Sequence, residues 1–175
     1  MIRVLFVCLG NICRSPMAEA VFRQLVREEG LEHAIETDSA GTGHWHLGER
    51  PHRGTRVVLE RRGIPYDGRA RLITPRDLEE FDYIIVMDDS NLQDVLALGR
   101  GRARVARLMD FAPRAGHSEV PDPYYTGHFE EVYDLVLQGA RGLLDHLRHE
   151  LEAASATDEP STAGRTSGCS GHHPA

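Results

Sequence analysis

One junction constrains the fold of this chain more than any other stretch: an apolar run ends at a cysteine, and a proline-started helix follows it almost at once. Ile2 to Val7 is rich in β-branched and aromatic residues and reads as a buried strand ending at Cys8. Ser15 stands where an N-cap belongs and Pro16 at the first helical position, and Ala18, Val21, Phe22, Leu25 and Val26 supply an apolar face before Gly30 stops the helix. Only Leu9, Gly10, Asn11, Ile12 and Cys13 separate Cys8 from Arg14. A loop confined between a strand end and a helix start can curl its backbone N–H groups inward. Those amides, the positive end of the helix and the Arg14 guanidinium then converge on a point that suits a tetrahedral dianion. Gly10 and Asn11 tolerate the left-handed backbone angles that such a curl needs.

The rest of the chain repeats strand and helix. Ile35 to Ser39 reads as a second strand, followed by a Gly-rich loop carrying Trp45 and a helix opened by Pro51 and closed by Gly63. Thr74, Pro75 and Asp77 form a capping signature for a short helix. Tyr83 to Met87 is then a third strand, Ser90 to Leu98 a third long helix, and Val105 to Met109 a fourth strand. The segment after Phe111 is irregular through Val120 to Tyr125. A long helix follows from Phe129 to Leu151, with Val132, Leu135, Val136, Leu143, Leu144 and Leu147 at helical spacing. Strands alternating with helices imply parallel pairing through right-handed crossovers. The expected fold is a single three-layer α/β domain over residues 1–153, with a four-stranded parallel sheet, helices on both faces and a phosphate loop after the first strand. Residues 154–175, dominated by Ser, Thr, Gly, Pro and His, read as a disordered tail containing an unpaired Cys169.

Composition narrows the function. All 20 basic residues are Arg, so mechanisms that need a lysine, the Walker-type phosphate loop and Schiff-base chemistry, are excluded. A formal net charge of -7 gives no whole-molecule attraction to nucleic acid or anionic membrane, so an anionic substrate must be held by a local site. The apolar run at the N-terminus is too short to cross a membrane and no small-residue cleavage site follows it, which reads as a cytoplasmic protein. Three cysteines are too few and too scattered for a disulfide framework, and the pairs His44 with His46 and His172 with His173 lack further ligands at metal-site spacing. No metal or other cofactor is expected. The oligomeric state is left open.

A free cysteine is often no more than a buried core thiol. Here its position argues for chemistry, because amide dipoles and a cation at a helix N-terminus favour a thiolate. A thiolate at Cys8 can attack phosphorus and form a cysteinyl phosphate while Arg14 and the loop amides follow the oxygens.

The stretch Val4 to Ala20, VLFVCLGNICRSPMAEA, resembles the signature of the low-molecular-weight protein tyrosine phosphatases. The resemblance continues through Asp38-Ser39-Ala40, Gly63-Ile64-Pro65, Ala70-Arg71, Phe81-Asp82-Tyr83, Met87-Asp88 and Asp122-Pro123-Tyr124-Tyr125. It implies hydrolysis of phosphotyrosine in a protein or peptide, with release of phosphate. It also implies a phosphate-binding loop from Leu9 to Ser15, with Cys8 as nucleophile, Arg14 as clamp and Asp122 as proton donor to the leaving tyrosine. Asp-Pro also commonly begins a turn. By the same resemblance Trp45, Tyr124 and Tyr125 form the rim on which a phenyl ring stacks, Ser15 donates to the Cys8 sulfur, and Asn11 braces the loop with Ser39 as partner. Cys13 is either an apolar filler or, as the family implies, the partner of Cys8 in a protective reversible disulfide. Two departures stand out: Gly68 occupies the place of a histidine that many members carry before Ala-Arg, and Pro51-His52-Arg53 lacks the usual aspartate.

Two relatives of different activity share the loop. A thioredoxin-coupled arsenate reductase needs two further cysteines after the third strand, where this chain has Met87, Asp88 and Asp89. A phosphoarginine phosphatase of the same superfamily carries Thr at the position of Ile12, whose bulk suits a flat phenyl ester.

Overall fold

The structure is a computed structural model and describes residues 1–157. Strands β1 (Ile2–Cys8), β2 (Ile35–Gly41), β3 (Tyr83–Val86) and β4 (Arg104–Arg107) form one parallel sheet in the order β2-β1-β3-β4. Alternation along the central strand explains its place between two helical layers. Val4, Phe6 and Cys8 face one apolar cluster, whereas Leu5 and Val7 face the other. Helices α1 (Arg14–Glu28), α2 (Arg53–Arg61) and α6 (Phe129–Thr157) cover the first face. The short α3 (Asp77–Glu80) and α4 (Asp89–Ala97) cover the second, through Leu78 and Val95. Phe6 and Phe22 lock β1 to α1 edge to face, with ring centroids 5.4 Å apart.

The chain leaves β1 toward β2 on one side and later returns to β3 on the other. In an open parallel sheet this reversal opens a crevice at the carboxyl ends of the strands, where ligands bind. Cys8 ends β1 and Asp88 follows β3 at that place.

Several boundaries differ from the expectation. Helix α1 begins at Arg14 rather than after Ser15, and no side chain among the described residues caps it. The Ser15 hydroxyl is engaged by Cys8 and Asn11 instead, so the N-terminal amides of α1 are left uncapped. Helix α2 starts at Arg53 and not at Pro51, because the His52 ring accepts from the Gly54 amide at 2.9 Å and serves as the cap. Strand β3 ends at Val86. Strand β4 stops at Arg107, where the Asp110 carboxylate takes the Arg107 amide and turns Leu108–Phe111 into a 3-10 turn. A second 3-10 turn, Pro113–Ala115, and a single helical turn, α5 (Pro123–Thr126), lie in the segment read as irregular. Helix α6 continues past Leu151 and past the expected tail boundary at 154 to Thr157, since Glu152, Ala153, Ala154 and Ala156 are good helix formers and the first breaker is Pro160. Cys169, His172 and His173 lie outside the described residues.

Candidate active site

Cys8, Leu9, Gly10, Ile12, Cys13 and Arg14 line a cleft of about 340 Å³, together with Trp45, His46, Asp122, Tyr124 and Tyr125. The loop holds its shape through its one buried amide side chain. Asn11 adopts a left-handed φ of 55° and is turned away from the cleft. Its Nδ2 donates to Ser15 Oγ at 2.8 Å and to Ser39 Oγ at 3.1 Å, while its Oδ1 accepts from the Arg71 amide at 3.0 Å. Asn11 is therefore fixed on both ends. Among the described residues, the amides of Gly10 to Cys13 find no backbone acceptor. The outer side of the loop is pinned from α2, where the His52 amide donates to the Ile12 carbonyl at 2.7 Å and Thr55 Oγ1 to the Cys13 carbonyl at 3.0 Å. The Gly-rich loop after β2 docks just as closely, its Gly43 amide donating to the Leu9 carbonyl at 2.8 Å. A Cβ on Gly41 would stand 2.8 Å from the Leu9 carbonyl oxygen, so only glycine permits this approach.

Cys8 Sγ lies 2.9 Å from Ser15 Oγ. Because Asn11 donates to Ser15, the serine's own hydrogen is free to point at the sulfur. Arg14 is buried, and a guanidinium out of water costs several kcal/mol unless it is paired. Its Nη1 donates to Asp88 Oδ2 at 2.6 Å and to the Val120 carbonyl at 2.9 Å, and its Nη2 reaches Asp122 Oδ2 at 3.4 Å. Its Nε is buried with no partner among the described residues. Burial works against the Arg14 charge, but Cys8, Asp88 and Asp122 outweigh it and raise the guanidinium pKa further. Asp88 is itself held rigidly, since its other oxygen caps α4 by accepting from the Asn91 amide at 2.7 Å. Burial, followed by Cys8 and Asp122, pushes the Cys13 thiol up to about 12. Cys13 therefore stays protonated at neutral pH.

Asp122 begins a helical turn and also stands in the wall of the cleft. Its Oδ1 accepts from the Tyr124 amide at 3.0 Å and caps α5, and its Oδ2 faces Arg14 across the cleft. Trp45, Tyr124 and Tyr125 are exposed at the mouth, so all three expected rim residues come together. Two residues at the site had no role in the sequence reading. Asp88 orients Arg14, and its signal was an acidic residue directly after a strand and before a helix. His46 lies in the cleft wall, 3.1 Å from where a Gly10 Cβ would be, and its Nδ1 meets Glu49 at 2.5 Å. His44 instead stacks on Trp45.

Residues 3–153 match the sequence profile of a family described as low molecular weight phosphotyrosine protein phosphatase. The chain belongs to this family. It is 50% identical over 153 residues to the low molecular weight protein-tyrosine-phosphatase YfkJ of Bacillus subtilis (strain 168), covering 86% of this chain and 98% of that protein. The low molecular weight protein-tyrosine-phosphatase PtpA of Staphylococcus aureus (strain Newman) is 45% identical over 149 residues, covering 84% and 94%. The crystal structure of YfkJ superposes with a TM-score of 0.83, covering 86% of this chain and 96% of that one. A Drosophila arginine phosphatase has the same phosphatase fold, with a TM-score of 0.78 at 32% identity, covering 82% of this chain and 96% of that one.

Proposed function

We propose that this member of the low molecular weight phosphatases hydrolyses phosphotyrosine monoesters in proteins or peptides through a cysteinyl phosphate, in a catalytic domain at residues 1–153. One observation carries the reading: a cysteine sulfur, a buried arginine and a carboxylate share one cleft at the start of a helix, where, among the described residues, the arginine Nε has no partner and no side chain caps the helix. Asp88 and Val120 occupy Nη1, whereas Nη2 has only its longer 3.4 Å contact with Asp122, so the Nε and Nη2 edge of Arg14 serves as a fork for two phosphate oxygens. The loop amides of Leu9 to Ser15 supply the remaining donors.

In the first step the Cys8 sulfur attacks phosphorus, the phosphorus–oxygen bond to the aryl group breaks, and Asp122 gives its proton to the departing phenolate oxygen. In the second, water attacks phosphorus, Asp122 takes the water's proton, and the phosphorus–sulfur bond breaks with its electrons returning to Cys8. Ser15 donates to that sulfur as it becomes a thiolate. No electron is gained or lost overall, and the products are tyrosine and inorganic phosphate. The exposed faces of Trp45, Tyr124 and Tyr125 stack on the substrate ring.

Ile12 supports an aryl ester over phosphoarginine, since it adds an apolar wall to the cleft. Cys8 and Cys13 are the free cysteines among the described residues, which gives no relay for arsenate reduction. A cytoplasmic location belongs to the same reading, because a nucleophilic thiol is kept reduced there; no helix among the described residues is long and apolar enough to cross a membrane. The reading is tested by rapid quench of the enzyme with labelled aryl phosphate. Label recovered on Cys8 within the first turnover, and absent in Cys8→Ser, is expected. Turnover without covalent label would defeat the mechanism, and faster release from phosphoarginine than from phosphotyrosine at equal concentration would reassign the substrate.

A further inference from the structure

The hydrogen bonds that start at Cys8 do not end at Asn11. Ser39 Oγ accepts from Asn11 and lies 3.2 Å from the Tyr66 hydroxyl, which in turn donates to Glu19 Oε1 at 2.8 Å. The shortest contacts set the order of the donors, since the other acceptor within reach of the Ser15 hydroxyl, the Ala40 carbonyl, lies at 3.5 Å against 2.9 Å for the Cys8 sulfur. Both hydrogens of the Asn11 amide are spent on serines, so each serine must send its own hydrogen onward. Ser15 sends it to Cys8, and Ser39 sends it to Tyr66, whose hydroxyl hydrogen goes to the Glu19 carboxyl. The two arms are thus polarised outward from Asn11, one ending on the sulfur and the other on Glu19.

The sequence makes room for Tyr66 at one position. A Cβ on Gly68 would stand 2.3 Å from the Tyr66 hydroxyl and 2.5 Å from the ring carbon that bears it. Arg23, whose guanidinium lies 5.5 Å from the ring centroid and whose Nη2 donates to the Pro65 carbonyl at 3.2 Å, closes over the other side. Burial pushes the Tyr66 phenol pKa upward, with Glu19 adding to the effect, so the hydroxyl stays a donor across the working range. Glu19 is buried on α1 beside Thr37, whose hydroxyl approaches its other oxygen at 3.4 Å.

We infer that Tyr66 is a positioning residue for the phosphatase reaction: its hydroxyl, anchored on Glu19 and admitted by Gly68, fixes the Ser39 hydroxyl so that Asn11 donates to Ser15 and Ser15 donates to the departing sulfur. This rests on the cysteinyl-phosphate mechanism proposed above. Its effect belongs to the second step, in which sulfur is the leaving group, because there a misdirected Ser15 hydrogen leaves the new thiolate without its donor.

The test is Tyr66→Phe, which keeps the ring, the Arg23 contact and the packing against Gly68. With an activated aryl phosphate, kcat should fall about three- to tenfold, the rate equivalent of one neutral hydrogen bond. KM should fall with it, leaving kcat/KM nearly unchanged, and more covalent phosphate should be trapped on Cys8 at steady state. Gly68→Ala, which alters no hydrogen-bonding group, should give the same signature by pushing the phenol off Ser39. It also keeps the inference testable should the phenylalanine variant fail to fold. A Tyr66→Phe enzyme with wild-type kcat, or one whose kcat and kcat/KM drop together with KM unchanged, would overturn the role. Absence of covalent phosphate in the wild type would instead overturn the mechanism on which it rests.

Discussion

Arg14 shows how much one residue is asked to do. Its Nη1 is committed to Asp88 and Val120 inside the protein, so the side chain is oriented before substrate arrives. Arg14→Lys replaces a fork by a point charge, and the ammonium would settle on Asp88 rather than present two parallel donors. Inorganic phosphate or vanadate inhibition should weaken by more than about thirtyfold, corresponding to the loss of about 2 kcal/mol from charge-assisted hydrogen bonds. A lysine variant that binds vanadate as tightly as the native enzyme would remove the fork from the mechanism. Asp122 can be tested apart from binding, since its proton matters most when the leaving oxygen is basic. Asp122→Asn keeps an acceptor for the Tyr124 amide and should slow poor aryl leaving groups by about 10² to 10⁴, but activated ones far less. Equal slowing of both would take Asp122 out of the proton-transfer role.

Helix α6 closes the core over α1, and its fit depends on two glycines rather than on its leucines alone. A Cβ on Gly142 would stand 1.8 Å from the Phe111 carbonyl oxygen, a backbone atom that cannot rotate away, whereas one on Gly139 would meet the Leu108 side chain at 2.5 Å. An alanine at an unconstrained helical position stabilises by about 1 kcal/mol over glycine, so the sign of the effect is diagnostic. Gly142→Ala should lower unfolding stability by about 1–3 kcal/mol in urea titration, and Gly139→Ala by less, because a leucine can change rotamer. Stabilisation by both would mean that α6 rides higher on the turn Leu108–Phe111 than the structure places it. Neither glycine is legible in the sequence, since the atom each one avoids lies on a different element. The apolar pattern made these elements legible: β1 is a continuous buried run, and α1 and α6 each carry enough apolar residues at helical spacing to define a buried face. What failed were boundaries set by single side-chain contacts, such as Ser15 drawn to Cys8 and Asp110 turning the end of β4. The loop from Cys8 to Arg14 could be read because its residues are contiguous. The partners that Asp88 and Tyr66 find could not be read, because each acts on the loop from about 55 to 75 positions away in the chain, through contacts that only the crossover topology creates.

At the scale of the molecule, an acidic chain concentrates uncapped amides and a buried guanidinium at the switch point of its sheet, and the same place shields a second thiol. Cys13 is raised from 9.0 to about 12 by burial, with Cys8 and Asp122 adding to it, and this ties the stability of the whole fold to alkaline pH. Below pH 9 the thiol is protonated in both the folded and the unfolded chain and contributes no pH dependence. Above pH 9 the unfolded chain releases the proton while the folded protein holds it until about pH 12, so the unfolded state binds fewer protons and stability falls as pH rises. The slope from this group alone is at most about 1.4 kcal/mol per pH unit. Tyr83, raised from 10.0 to about 12, acts in the same direction above pH 10, so the comparison must be made against a variant that changes only the thiol. Cys13→Ala forfeits a small amount of packing at neutral pH and should be the less stable protein at pH 8. The wild type should then lose that advantage by about 1 kcal/mol or more for each pH unit between 9 and 11, measured as the difference in urea unfolding free energy. A difference that stays flat from pH 8 to pH 11 would show that Cys13 ionises freely in the folded protein, and its cluster with Ile12, Ala70 and Phe129 would then have to be open to water rather than packed.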